Sequence, residues 1–250
     1  MFGDKRVTVI MPAYNAEQTL RRSFAEVCEQ GIADVVVIVD DCSRDGTERV
    51  AEELRAEAAS GGRPEVVYRR HERNLGYGGN QKTCYRLALE AGADIVVMVH
   101  PDCQYTPKLL PAMVSMIAVG LHPCVLASRI LGGYALKGGM PWWKYVANRF
   151  LTAVMNLLMG AKLSEYHTGY RAFSVELLCK LPLERNTDDF AFDAQMLAEI
   201  LATGATIGEV SCPTVYMSES SSISFLRSCK YGFGCLWTAL RYRFARRTLM

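Results

Sequence analysis

The stretch Val35-Val-Val-Ile-Val-Asp-Asp-Cys-Ser-Arg-Asp-Gly-Thr47 decides the fold. Its apolar run is continuous and β-branched, so it does not alternate between a wet and a dry face. Such a strand is buried on both sides, as in a parallel sheet covered by helices. It then breaks into carboxylates and a turn. Two further runs repeat the pattern: Val7-Thr-Val-Ile-Met-Pro-Ala-Tyr-Asn15 and Ile95-Val-Val-Met-Val-His-Pro-Asp-Cys-Gln104. In open parallel sheets ligands bind at the carboxyl ends of the strands, which is where all three polar clusters fall. The fold expected from these segments is α/β: a Rossmann-like, doubly wound sheet, mainly parallel, with helices on both faces.

Outward from those strands, a helix is expected from about Glu17 to Gln30 and another from about Thr47 to Ala59. Asp45-Gly46-Thr47 supplies a turn and an N-cap. Glu65-Val-Val-Tyr68 reads as a short strand, and Gly76-Tyr-Gly-Gly79 opens a helix that carries Gln81 to Ala91. The segment Leu109 to Ala127 is broken by Pro111, Gly120, His122 and Pro123. It reads as a helix followed by the buried strand Cys124-Val-Leu-Ala-Ser128, not as a membrane span. Beyond it, Pro141 to Arg149 leads into an apolar helix from Phe150 to Met159, and an αβ stretch covers Phe190 to Val210. A serine-rich loop (Ser218 to Ser224) follows. The expected division is one domain over residues 1–225 and a basic aromatic tail over 226–250, suited to an interfacial helix.

Length and composition fit one large α/β domain: 250 residues, half of them hydrophobic. Nine cysteines include no C-x-x-C pair, and the odd number argues against a full disulfide framework. With no signal peptide at Met1 to Arg6, the expectation is reduced thiols and a cytoplasmic protein, peripheral on the inner face of the membrane where it meets one. Net charge is +2, but no acid occurs from Cys103 to Ser164 or from Ser220 to Met250. Lys108, Arg129, Lys137, Lys144, Arg149 and Lys162 occupy the first segment; Arg227, Lys230, Arg241, Arg243, Arg246 and Arg247 occupy the second. Two basic segments on an otherwise acidic chain point to an anionic partner. Nucleic acid is disfavoured, because no recognised binding motif accompanies the charge. Trp142-Trp143 with Lys144 and Arg149, and the stretch Tyr231 to Arg247, combine aromatics with cations as headgroup-seeking elements do. Either could instead pack against a sister subunit or the core.

Each polar cluster has a functional and a structural reading. Asp40 and Asp41 can accept hydrogen bonds from a nucleobase N–H or ribose hydroxyls, or can cap the next helix. Asp102 can ligate a divalent cation bridging two phosphates, or mark a turn between Pro101 and Pro107. Asn74-Leu-Gly-Tyr-Gly-Gly79 offers glycines where backbone could approach a phosphate, without the lysine or spacing of a P-loop. His167 reads as structural or as facing an acceptor.

Taken in order, these segments resemble the family 2 glycosyltransferases of the GT-A fold, in particular the polyprenyl-phosphate sugar synthases of the dolichol-phosphate mannose synthase type. Pro12-Ala-Tyr-Asn15 is similar to the family's P-x-Y-N, and Val39 to Thr47 to its V-D-D-x-S-x-D-G-T. Arg73 to Gly78 follows R-N-x-G-x-G, Ser128-Arg129 with Gly132-Gly133 follows G-S-R…G-G, Thr168 to Phe173 follows S-G-F-R-x-F, and Ile207 to Val210 follows I-x-E-V. The resemblance covers roughly residues 7 to 225. It implies a nucleotide diphospho-sugar donor, a lipid-linked (polyprenyl phosphate) or saccharide acceptor, inversion at the transferred carbon, and a divalent metal, Mg²⁺ or Mn²⁺. Pro12, Tyr14, Asn15, Asp40, Asp41 and Gly78 would then bind the nucleotide. Asp102, with His100, would hold the metal beside Gln104. Arg129, Arg149 and Arg171 would meet donor or acceptor phosphates, with Trp143 on the acceptor's approach. A hydroxyl acceptor needs a base, and Thr187 to Asp193 lies where other family members carry an acidic pair. Asp189 leads, followed by Asp188 or Asp193; the alternative is an N-cap.

Three departures qualify the resemblance. The metal-binding D-x-D reads His100-Pro101-Asp102, and imidazole suits Mn²⁺ better than Mg²⁺. The late arginine and G-x-S-K fall at Glu219, Ser222, Ser224 and Phe225, so two phosphate-facing cations are missing. The aspartate before S-G-F-R is Glu165. A nucleotidyltransferase is disfavoured because Pro12 to Ala16 lacks glycine and cation. The non-enzyme alternative is a sugar-nucleotide-binding protein that lost catalysis with the first metal aspartate.

Overall fold

The structure is a computed structural model describing residues 2–61, 64–214 and 225–245, with the backbone alone for residues 225–227. The serine-rich loop, with Glu219, Ser222 and Ser224, and the side chain of Phe225 lie outside the described residues. In chain order the elements are β1 (Val7–Ala13), α1 (Leu20–Cys28), β2 (Val35–Asp40), α2 (Thr47–Gly61), β3 (Glu65–Arg70), α3 (Tyr77–Glu90), β4 (Ile95–Met98), α4 (Leu110–Ala118), β5 (Cys124–Ser128), α5 (Trp142–Met159), β6 (Arg171–Ser174), the one-turn α6 (Val175–Leu178), α7 (Phe192–Thr203), β7 (Ile207–Ser211) and α8 (Phe225–Ala245).

The strands form one seven-stranded sheet ordered β3-β2-β1-β4-β6-β5-β7. Every pairing is parallel except those of β6, which runs antiparallel between β4 and β5. Successive strand residues point to opposite faces, and both faces are dry. Val35, Val37 and Val39 join Val96 and Met98 in a core with α3, α5, α7 and α8. Val36 and Ile38 join Val9, Met11 and Val97 in a second core with α1, α2 and α4. The continuous apolar runs are thereby explained, and the mainly parallel doubly wound sheet follows.

Three elements differ from expectation. Residues 142–149 do not lead into the apolar helix but form its first turns, since Pro141 sits at the N-cap and pre-sets entry without interrupting the helix. Helix α1 begins at Leu20, three residues late, because Glu17 turns back to accept a hydrogen bond from Gly46 N (3.0 Å). Strand β6 has only four residues and no period to reveal it.

Side chains buried at the strand ends fix the loops above them. Asn80 of α3, buried, donates from Nδ2 to the carbonyls of Ala13 (3.3 Å) and Val39 (3.1 Å), joining the ends of β1 and β2. On the far side, Glu199 of α7 is buried near α8 and accepts one hydrogen bond, from Asn186 Nδ2 (2.9 Å). Burial pushes its carboxyl up to about 7, although the Asn186 bond and the charges of Arg185 and Arg241 pull the other way. Below its ordinary value near 4.5 the group is neutral in both folded and unfolded chains. Stability is therefore lost as pH rises from there through about 7, and the full penalty remains above it. Glu199→Gln is expected to raise stability by roughly 2–3 kcal/mol at slightly alkaline pH and by little under acid conditions. Urea unfolding at the two pH values measures the difference; equal effects at both would refute ionisation as the cause.

Candidate active site

The carboxyl ends of β1, β2 and β4 open on the same edge of the sheet, and the loops leaving them are tied together. Asn15, at φ 51°, donates from its amide to Ser43 Oγ (2.8 Å) and accepts Arg44 N at Oδ1 (2.9 Å). Ala16 N donates to Thr47 Oγ1 (2.7 Å). Pro12 is buried in β1 opposite Val39, while Tyr14 stands exposed at the strand exit.

Asp40 uses its two carboxylate oxygens differently. Oδ1 holds the turn, accepting the amide of Ser43 (3.0 Å) and its hydroxyl. Oδ2 lies 3.3 Å from Arg70 Nε without completing a hydrogen bond, leaving a buried acceptor unsatisfied at the strand end. Its neighbour faces inward. Asp41 accepts His71 Nδ1 (2.8 Å), Leu75 N (2.8 Å) and Gly76 N (3.0 Å), so its carboxylate clamps the Asn74–Gly79 loop onto β2. Asp41 can shape a nucleotide pocket only through that loop.

The glycines of that loop make their close approach to the protein itself. A Cβ on Gly78 would fall 2.4 Å from the Thr187 carbonyl, and one on Gly76 would fall 2.6 Å from the Asp188 carbonyl. Gly78 N donates to that Asp188 carbonyl (2.7 Å). The expected phosphate contact at Gly78 is therefore replaced by packing of the loop against residues 187–188.

At the end of β4, Asp102 Oδ1 accepts Gln104 N (3.0 Å) across Cys103, whose φ is 54°. Both Asp102 and Gln104 are half-buried. His100 Nε2 lies 3.2 Å from Tyr77 Oη, and the two rings stack at 5.6 Å. Burial lowers the His100 pKa, with the charges of Asp102 and Asp193 acting against it. Among the described residues no cluster of three His, Cys, Asp or Glu side chains could hold a metal ion. His100 and Asp102 would together offer one nitrogen and one carboxylate donor to a divalent cation that took its remaining ligands from phosphate oxygens and water. They do not make an all-protein metal cage.

The arginines divide. Arg171 is fully buried on β6 and is spent internally: Nε donates to Thr168 O (2.7 Å), Nη1 to Asp193 O (3.0 Å) and Nη2 to Tyr166 O (2.9 Å). It cannot reach a phosphate, so that expectation is corrected. Arg129 is gripped by Glu165, whose Oε1 accepts Nε (2.9 Å) and whose Oε2 accepts the Arg129 amide (2.8 Å); Asn148 of α5 joins at Oε1 (2.8 Å). Burial alone would raise Glu165, but the Arg129 charge and hydrogen bonds outweigh it and hold the carboxyl below its ordinary value. Lys144 lies close enough to Arg129 that, after burial, the guanidinium charge helps to lower its pKa. Its Nζ sits 5.4 Å from the ring of half-exposed Trp143. Arg149 is exposed and donates to Ser164 O (2.9 Å).

The three candidate bases are all engaged. Asp188 pairs with Lys82 (2.8 Å), and Asp189 pairs with Lys230 of α8. Asp193 is buried, accepting Tyr77 Oη at Oδ2 (2.8 Å) and Gln81 Nε2 at Oδ1 (3.1 Å), with Arg171 Nη2 at 3.6 Å. Its internal position removes it as a base. His167 donates to or accepts from Tyr231 Oη (2.7 Å), and burial pushes its pKa down to about 4 against the pull of Glu165. Tyr77, Asn80, Gln81 and Lys82 are the residues that sequence reading passed over. Their only local signal is a polar string at the start of a helix beside a glycine turn.

Residues 8–181 match the model of the family described as Glycosyl transferase family 2. The chain is 30% identical over 225 residues to the UDP-N-acetylglucosamine–dolichyl-phosphate N-acetylglucosaminyltransferase of Methanococcus voltae, covering 87% of this chain and 89% of that protein. It is 25% identical over 221 residues to the polyprenol monophosphomannose synthase of Mycolicibacterium smegmatis, covering 88% and 80%. Among solved structures it is similar to glucosyl-3-phosphoglycerate synthase from Mycobacterium tuberculosis in complex with Mn²⁺, uridine diphosphate and glucosyl-3-phosphoglycerate. The TM-score is 0.67 at 20% identity, over 96% of this chain and 80% of that one, a likeness of fold. With the strand-end clusters assembled on such a sheet, the chain belongs to glycosyl transferase family 2 and is a glycosyltransferase of the GT-A fold.

Proposed function

We propose that the protein moves a sugar from a uridine diphosphate donor to a polyprenyl phosphate at a membrane surface. The state of the acids carries this reading. Asp188, Asp189, Asp193 and Glu165 are each paired with a cation or buried in a hydrogen-bond network. A hydroxyl acceptor would need one of them to take its proton, whereas a phosphate is already ionised and needs none. The names of the relatives in Methanococcus voltae and Mycolicibacterium smegmatis, a dolichyl-phosphate and a polyprenol-phosphate enzyme, support the acceptor class. The uridine nucleotide bound in the structural neighbour supports the donor.

In this reading Tyr14 and the unsatisfied Oδ2 of Asp40 receive the nucleoside, while Arg129, Lys144 and Arg149 meet the acceptor phosphate. A divalent cation held by His100 and Asp102 would supply neutralisation of the leaving diphosphate. An oxygen of the acceptor phosphate forms a bond to the anomeric carbon as that carbon's bond to the diphosphate oxygen breaks. A single displacement of this kind inverts configuration.

Helices α5 and α8, which pack against each other, support the membrane contact in this reading. Trp142, Val146, Phe150 and Leu157 form an exposed stripe on α5, and Phe233, Trp237, Leu240 and Phe244 form one on α8. Leu157 and Phe244 are each 82% exposed. Neither helix carries an acid, while Lys144, Arg149, Arg241 and Arg243 supply positive charge. Exposed aromatics with basic residues and no acids suit an anionic lipid surface better than a second copy of the same basic face. No described helix is long and apolar enough to cross a membrane. In this reading the tail helix is an interfacial element.

Two measurements test the proposal. Incubation with UDP-N-acetylglucosamine, Mn²⁺ and dolichyl phosphate is expected to yield a sugar-phosphate lipid. Asp102→Asn should lower kcat/KM by about 100-fold or more. Asp188→Asn and Asp189→Asn should each change kcat by less than about tenfold, short of the roughly 10²–10⁴ that a lost base costs. Transfer to a free sugar hydroxyl, or a larger loss in either asparagine variant, would overturn the phosphate acceptor. In flotation with phosphatidylglycerol vesicles, Phe233→Glu with Trp237→Glu is expected to weaken binding more than about tenfold. Unchanged flotation, or a doubled mass in solution abolished by the same pair, would refute the lipid partner.

A further inference from the structure

The residue standing where the family's metal motif has an aspartate is His100, and its ring is held on one edge. Nε2 lies 3.2 Å from Tyr77 Oη, which lies 2.8 Å from Asp193 Oδ2. Directionality along this chain is determined by its far end. Asp193 accepts from Gln81 at Oδ1, lies 3.6 Å from the Arg171 guanidinium, and accepts from Tyr77 at Oδ2. The Tyr77 hydroxyl must therefore donate its single proton to Asp193, and its oxygen is left to accept. The hydrogen between Tyr77 and His100 then belongs to Nε2. A neutral imidazole with hydrogen on Nε2 carries its lone pair on Nδ1. Among the described residues Nδ1 has no hydrogen-bond partner, and it is not a sealed, unsatisfied atom either.

Packing fixes the same orientation. Tyr77 is stacked between His100 and Phe190, with ring centroids 5.6 Å and 4.9 Å away. The Nε2 edge of His100 lies over Gly169, where a Cβ would come within 2.6 Å of both Cδ2 and Nε2. The ring can therefore sit with this edge inward only because residue 169 has no side chain.

We propose that Tyr77, anchored by Asp193, is a positioning residue that fixes His100 in the tautomer with hydrogen on Nε2 and so reserves Nδ1 as a donor atom that would join Asp102, two residues on, in holding a first-row divalent cation. Ligating histidines commonly donate the other ring N–H to an oxygen in this way, which sets the tautomer and raises basicity. Nitrogen donors favour Mn²⁺ over Mg²⁺. The relay therefore determines metal choice, and Asp193, expected from sequence as a base, acts instead through Tyr77. This inference rests on the reading that His100 and Asp102 hold a cation.

The tautomer is measurable on the metal-free protein, independently of any transfer activity. In histidine-¹⁵N-labelled protein, two-bond ¹H–¹⁵N correlation is expected to give His100 a protonated Nε2 and an unprotonated Nδ1, with both tautomers populated in Tyr77→Phe. Mn²⁺ binding in the presence of UDP, read by loss of the free-ion electron paramagnetic resonance signal, should weaken about 10–100-fold in Tyr77→Phe. Mg²⁺ competition should change far less. In a His100→Asp background, Tyr77→Phe should have no effect on Mn²⁺ affinity, because the carboxylate has no tautomer to fix. Hydrogen on Nδ1 in the wild type, unchanged Mn²⁺ affinity in Tyr77→Phe, or an equal loss in the His100→Asp background would each overturn the inference. The phenylalanine keeps both ring stacks, and should it still fail to fold, the wild-type tautomer alone decides the outcome.

Discussion

A single buried carboxylate joins the elements around the proposed site. Asp193, at the start of α7, takes hydrogen bonds from Tyr77 and Gln81 on α3 and faces Arg171 on β6. Through Tyr77 it reaches His100 at the end of β4. Burying a carboxylate and a guanidinium is costly unless every donor and acceptor is met. Here Arg171 gives one hydrogen bond from each of its three nitrogens, to the carbonyls of Thr168, Asp193 and Tyr166. Removing one partner would strand a charge, so the three elements are coupled and the His100 ring inherits a fixed position.

The same interaction shows what the sequence could and could not reveal. The strands were legible because burial on both faces demands continuous apolar runs, as in Val35 to Val39. The strand-end clusters were legible because the topology sends all of them to one edge. The pairings were not. Tyr77 and Asp193 are 116 positions apart, Lys82 and Asp188 are 106 apart, and nothing periodic links them. Arg171 looked like a phosphate ligand because an arginine in a motif carries no mark of burial. Gly78 looked like a phosphate contact because close approach of backbone to backbone and of backbone to ligand require the same residue. Asp41 was read with Asp40 because they are adjacent, yet one faces the strand end and the other the loop beneath.

Helix α8 has two faces with different obligations. Its inner face supplies Cys235, Ala239 and Tyr242 to the core. Near its start, Lys230 pairs with Asp189 and Tyr231 bonds His167. Its outer face carries the Phe233–Trp237–Phe244 stripe. If α8 seats on lipid through its outer side, as proposed, its inner contacts with the 187–193 loop and with His167 would link the lipid surface to the loops flanking the site. The acceptor phosphate of a polyprenyl chain would lie at that boundary.

Replacing the first carboxylate of a metal motif with imidazole removes one negative charge from beside the donor diphosphate. A pair consisting of His100 and Asp102 attracts a free divalent cation less strongly than two carboxylates do, and it leaves most of the coordination sphere to other oxygens. In the proposed reading the donor diphosphate would supply them. The carboxylate of Asp193 does not compensate, because Arg171 lies beside it and Tyr77 separates it from the ring. In the proposed reading the metal and the nucleotide would therefore depend on each other for affinity, each supplying ligands that His100 and Asp102 alone do not.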